Sequence, residues 1–156
     1  TNNFMNQAGV RTFEAAAFLR RNGADVVRVR KLFRDRLEDY RARAEAIQKA
    51  EIYHGAFAIS VCPSEGLESP TVVGAQAANE LDIVGIKASF ILTQMGDTIY
   101  FSARSIDEIN VQIIMERLGG GGHRTIAGAQ LKGATIDEAR EKLKDLITDM
   151  MEKGEI

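Results

Sequence analysis

Ala88-Ser89-Phe90-Ile91-Leu92-Thr93-Gln94-Met95-Gly96-Asp97-Thr98-Ile99-Tyr100-Phe101-Ser102-Ala103-Arg104 holds two apolar runs on either side of a Gly-Asp pair. The runs read as strands over 88–94 and 98–104, and Gly96-Asp97 reads as a two-residue hairpin turn between them. Upstream, Phe57, Ile59 and Val61 alternate with Ala58 and Ser60 in the period of a half-buried strand, which Pro63-Ser64-Glu65-Gly66 closes as a loop. Ser69-Pro70 then supplies an N-cap and a proline at the first helical position, and Val73, Ala77 and Leu81 form the buried stripe of a helix.

Downstream, residues 107–118 read as a helix that is apolar on most sides, through Ile109, Val111, Ile113, Ile114, Met115 and Leu118. A glycine run follows, then a strand over 127–131. The last helix opens on the capping box Thr135-Ile136-Asp137-Glu138 and turns Ile136, Ala139, Leu143, Leu146, Ile147 and Met150 inward. The expected fold is therefore α/β (α+β), a mixed sheet of four to five strands flanked by helices.

The N-terminal part has a different texture. Thr12 is an N-cap for a short helix over 13–19 that ends at Asn22-Gly23, and Asp25 caps the next. Val26, Val29, Phe33, Leu37 and Tyr40 recur at helical spacing and run into an alanine-rich stretch over 41–50, so the segment reads as a helical connector. It is also basic, with nine Arg and Lys from Arg20 to Arg43. A solvated helix face is the first reading of such a run, and a basic groove wall the second. The expected division is 1–50, helical, and 51–156, the sheet domain. The chain opens on Thr1 without an initiator Met, which points to a piece of a longer protein.

Composition sets the limits. The chain has 156 residues, 45% hydrophobic and 27% charged, the mix of one globular domain with an extension. A single cysteine, Cys62, and two histidines, His54 and His123, build neither an internal disulfide nor a zinc site, and a reduced cytoplasmic compartment fits. No apolar run is long enough to span a bilayer, so no membrane contact is expected of this segment. The net charge of −2 does not mark the whole surface as a nucleic-acid footprint. Asn2, Asn3 and Glu14 are too few ligands for the divalent metals of phosphoryl chemistry, and no Ser-His-Asp triad is readable from spacing.

The stretch that carries chemistry is Gly119-Gly120-Gly121-Gly122-His123. One left-handed glycine ends a helix, and each further glycine costs chain entropy. Such a loop is justified where backbone N–H groups must approach an anion, with the histidine donating to the same phosphate. A mobile linker ending in a surface histidine is the bland alternative, and four glycines alone divide evenly between the two. A second small-residue patch, Ala127-Gly128-Ala129, tips the balance. Arg104 and Ser105 form a second cluster, a strand-end guanidinium beside a helix start. Its plain account is an ion pair with Asp107 or Glu108. A straight helix over 107–118 would hold the two clusters about 15–18 Å apart.

These residues resemble a known family. Phe101-Ser102-Ala103-Arg104-Ser105, Asn110-Val111-Gln112, Gly119-Gly120-Gly121-Gly122-His123 and Ala127-Gly128-Ala129-Gln130-Leu131 are similar to the C-terminal DHH-associated domain of DHH phosphoesterases. That family includes RecJ-like nucleases, nanoRNase-type oligoribonucleases and the cyclic-di-AMP phosphodiesterases of the GdpP group. Thr1-Asn2-Asn3-Phe4, Arg11 to Ala16 with Leu19, and Gly85-Ile86-Lys87-Ala88-Ser89-Phe90 resemble the GdpP group in particular, so that the likeness covers nearly the whole chain.

The resemblance implies that residues 1–50 are the tail of a DHH domain with a connector and that 51–156 hold the nucleotide. It implies substrate contacts from Gly120, Gly121, Gly122 and His123, with Arg104 and Ser105 assisting, and no catalytic residue or metal ligand in this chain. Manganese would be bound by a DHH domain upstream, hydrolysing cyclic-di-AMP to linear pApA. The isolated chain would be inactive, and its parent would be anchored at the inner face of the plasma membrane. The partners expected are a dinucleotide or short oligonucleotide, that DHH domain, and a second copy of the chain in a homodimer. The competing reading is a nucleic-acid-binding domain of a RecJ-like or nanoRNase-type exonuclease.

Overall fold

The computed structural model describes residues 8–106 and 108–156. The Thr1 to Phe4 run and Asp107 therefore lie outside the described residues. Contacts divide the chain into two compact units, Thr1–Arg36 and Leu37–Ile156.

In the first unit, α1 (Val10–Arg21) starts earlier than read, with Gly9 at its N-cap and Thr12 inside the helix, and α2 (Val26–Leu32) is capped as expected by Asp25, which accepts hydrogen bonds from the Val27 and Arg28 amides. Neither helix buries a residue.

The second unit opens with α3 (Leu37–Gln48), followed by β1 (Glu51–Tyr53), β2 (Phe57–Cys62), α4 (Pro70–Glu80), β3 (Ala88–Met95), β4 (Thr98–Ser105), α5 (Val111–Arg117), β5 (Gly121–His123), β6 (Ile126–Lys132) and α6 (Ile136–Glu152). The six strands make one mixed sheet in the order β1-β2-β3-β4-β6-β5. Only β2 and β3 are parallel, as the α4 crossover between them allows; the other neighbours are antiparallel. Met95 pairs with Thr98, so Gly96-Asp97 is the expected two-residue turn, and the positive φ at Gly96 (60°) suits its first position.

The two strands beyond the four located in the sequence are the three-residue β1 and β5, too short for alternation to declare itself. β5 corrects the sequence reading, because Gly121-Gly122-His123 is not a loop but an edge strand paired with Ile126–Gly128. The 107–118 helix is shorter than read. Asn110 caps it by accepting from the Gln112 amide at 3.1 Å, and the Ser105 hydroxyl closes the loop before it by donating to the Ile109 carbonyl at 2.6 Å. Ile109 is buried in that loop, which is why its apolar character extended the helical period.

Strand alternation gives the sheet two different faces. One carries Phe57, Ile59, Phe90, Leu92, Ile99, Phe101, Ala103, Ala127 and Ala129 against α5 and α6, the larger core. The other packs Ala58, Cys62 and Ile91 against Val73 and Ala77 of α4, Leu81 at its C-cap, and Ala42 and Ala46 of α3. Here α3, which the sequence grouped with the N-terminal helices, is fastened to the second unit: the Ser60 hydroxyl donates to the Ala46 carbonyl at 2.6 Å, and buried Arg43 pairs with Glu80 at 3.0 Å. Arg43 thus belongs to a helix interface and not to a solvated basic wall.

Candidate functional site

The helices on this second face cover β2 and β3 and stop near β4. Beyond them, Tyr100, Ser102 and Arg104 of β4, Ile126, Gly128 and Gln130 of β6, and Gly121 and His123 of β5 line an uncovered part of the sheet, none of them buried.

Register then sets the geometry of this open face. Arg104 pairs with Ile126, which pairs with His123. Directly paired residues project to the same side, so Arg104 and His123 belong to one row, their backbones about 10 Å apart across two strand spacings. The separation expected from a straight helix does not arise, because the shortened α5 lets the chain double back. The Val111 amide donates to the Arg124 carbonyl and the Ser105 amide to the Thr125 carbonyl, at 2.9 and 3.0 Å, tying the ends of β4 and β5 together. The next row is Ser102, Gly128 and Gly121, a floor almost without side chains, and the row after it is Tyr100 and Gln130. There a shallow groove of about 300 Å³ is bordered by Tyr100, Gly119, Gly120, Gly128 and Gln130.

The four glycines separate by role. Gly119, with φ 82°, is the left-handed residue after α5, and the Gly119 and Gly120 amides donate to the Glu116 and Met115 carbonyls in the paired bonds of a Schellman end. A methyl group on Gly120 would collide with the Gly128 carbonyl oxygen, and one on Gly122 would lie 2.5 Å from Ala127 Cα, so both are glycine because β6 runs close by. Gly121 meets nothing within 4 Å. Its missing side chain leaves room on the open face.

Arg104 does not pair with Glu108, whose carboxylate lies 4.0 Å from Lys87 Nζ. Its Nε donates to Asn79 Oδ1 at 2.9 Å and its Nη1 to the Ala103 carbonyl at 2.8 Å. Partial burial lowers its pKa from the ordinary guanidinium value, yet it remains a cation at neutral pH. Ser105 spends its hydroxyl on the Ile109 carbonyl, within the loop before α5. His123 is exposed at the edge of the sheet. Among the described residues no group of three or more His, Cys, Asp or Glu could hold a metal ion, and no helix is long and apolar enough to cross a membrane. His54, with φ 47°, sits in the β1–β2 turn and meets Thr148 Oγ1 at 3.1 Å, a structural position.

Residues 55–149 match the DHHA1 domain. The chain belongs to the DHHA1 domain family. Along 99% of its length it is 42% identical to the cyclic-di-AMP phosphodiesterase GdpP of Geobacillus thermodenitrificans and 43% identical to the cyclic-di-AMP phosphodiesterase PdeA of Listeria monocytogenes. It spans 24% of the length of each of these relatives. An exopolyphosphatase-related protein of Bacteroides fragilis shares the fold, with a TM-score of 0.77 at 18% identity over 93% of this chain and 45% of that one.

Sequence reasoning named Arg104 and His123 of this face and did not single out Asn79, Tyr100 or Gln130 beside them. Asn79 ends a helix 25 residues before its partner, and only the β3–β4 register brings them together. Gln130 stands two residues beyond Gly128, and that parity, carried across the β4–β6 pairing to Tyr100, was the available signal.

Proposed function

We propose that this chain is the substrate-binding C-terminal part of a manganese-dependent DHH-family phosphodiesterase that hydrolyses cyclic-di-AMP to linear pApA. The observation that carries the reading is the row Arg104–Ile126–His123 on an uncovered sheet face. A planar donor fork and an imidazole on one side of a sheet are suited to one phosphate, and the bare Ser102–Gly128–Gly121 floor beside them lets a sugar or base lie against backbone. Tyr100 lies four residues along β4 from Arg104, about 13 Å, so phosphate and groove together match a ligand of dinucleotide size. The activities named for the similar proteins from Geobacillus and Listeria support the choice of substrate.

In this reading the chain grips and orients the substrate. Arg104 and His123 hold the phosphate, Gly121 and Gly128 give it access to the backbone, and water activation falls to manganese bound elsewhere in the protein.

Titration with cyclic-di-AMP, linear pApA and a short oligonucleotide, followed by amide NMR, tests this. The dinucleotides are expected to shift Gly120 to His123 and Arg104, with shallow salt dependence, and His123→Ala to abolish the shifts. Shifts confined to residues 28–43 with the oligonucleotide, falling steeply with salt, would replace this reading with the exonuclease one.

A further inference from the structure

We infer that Asn79 is a positioning residue that aims the Arg104 guanidinium across the open face without neutralising it. The inference rests on the reading of Arg104 as a phosphate contact and deepens it. An arginine on a half-exposed strand has several rotatable bonds, and a contact with phosphate is gained only if the planar fork is already turned the right way.

Two fixed acceptors turn it here. Asn79 Oδ1 takes the Nε proton at 2.9 Å and the Ala103 carbonyl takes an Nη1 proton at 2.8 Å. Of the five N–H donors of a guanidinium, three remain, including both on Nη2. They form the outer edge of the fork, the edge suited to bidentate contact with an anion.

The identity of the acceptor matters. Among the described residues no carboxylate lies within ion-pair distance of Arg104, and the group that fixes it is a neutral amide. An aspartate at 79 would orient the fork equally well but would compete with phosphate for its charge. Asparagine supplies the direction and leaves the charge available.

The Asn79 side chain is exposed, but the helix end that carries it is anchored. The Ser89 hydroxyl of β3 donates to the Ala78 carbonyl at 2.7 Å, and Ala77, Ala78 and Leu81 are buried around it. Ser89 is also the residue paired with Arg104 in the sheet, so one β3 position anchors the helix end and sets the strand that it steers.

The test compares Asn79→Ala, Asn79→Asp and Arg104→Ala in the chain, measuring cyclic-di-AMP affinity by calorimetry, the thermal midpoint, and the Arg104 Nε–H resonance. Loss of one hydrogen bond to a charged group is expected to raise Kd about tenfold in Asn79→Ala, with the thermal midpoint nearly unchanged. The Arg104 Nε–H signal should move even without ligand. Asn79→Asp should keep that signal close to its wild-type position yet bind at least as poorly as the alanine variant, with a shallower salt dependence. Wild-type affinity in both Asn79 variants, while Arg104→Ala binds weakly, would overturn the positioning role and leave the phosphate reading standing. Wild-type affinity in Arg104→Ala would overturn both.

Discussion

At the scale of single residues the informative contrast is among consecutive glycines that look alike in sequence. Gly122 has φ 148° and its absent side chain faces Ala127 Cα at 2.5 Å, whereas Gly121 has open space around it. Gly122→Ala should therefore cost about 3 kcal/mol by forcing β5 off β6, read as a lower denaturation midpoint. Gly121→Ala should leave that midpoint within about 0.5 kcal/mol of wild type, the range of ordinary surface changes, and yet weaken cyclic-di-AMP binding. A Gly121→Ala chain that binds normally would mean that the ligand does not use this part of the face. The sequence could say that four glycines exceed the needs of a helix end. It could not divide them into one for φ, two for close packing and one with open space around it, because that division depends on which β6 atoms lie opposite.

At the scale of elements, the α4–β3 contact shows how tightly the layer beside the site is packed. Gly74 sits in α4 where a methyl group would lie 2.5 Å from Thr93 Oγ1, and the buried Thr93 hydroxyl has no hydrogen-bond partner. A buried hydroxyl without a partner is a desolvation cost that an isosteric methyl group would relieve. Thr93→Val should accordingly stabilise the chain by about 1 kcal/mol in urea unfolding, and a loss of stability would show that the hydroxyl is satisfied in solution. The elements themselves were largely legible. The hairpin around Gly96, the Ser69-Pro70 helix start and the capping box at Thr135 and Glu138 are local signals, and each stands where local chemistry puts it. Two of the failed readings fell where tertiary context overrides local pattern. Ile109 is apolar because a loop buries it, and β5 is a strand because β6 presents an edge to pair with. Pairing also decides whether Arg104 and His123 are neighbours, and nothing within either segment announces its partner.

At the scale of the whole chain, the two compact units differ in how much they bury. No residue of α1 or α2 is buried, and Val27, Leu32 and Phe33 are exposed despite their apolar character. Helices of 12 and 7 residues without a buried face are marginal in water, since most helical stability in proteins comes from tertiary packing. The third helix has the same length as the first but a different environment, with Ala46 fully buried, its carbonyl bonded to Ser60, and Arg43 paired with Glu80. Amide hydrogen exchange should therefore break between residues 36 and 37. The amides of α1 and α2 should exchange at rates near those of a free peptide, while those of α3 should be protected together with β2 and β3, through the global opening of the second unit. Exchange of α3 in step with α1 and α2 would place the break near residue 50 and detach α3 from the sheet. Uniform protection of all three helices would mean that α1 and α2 have found an apolar partner surface in solution.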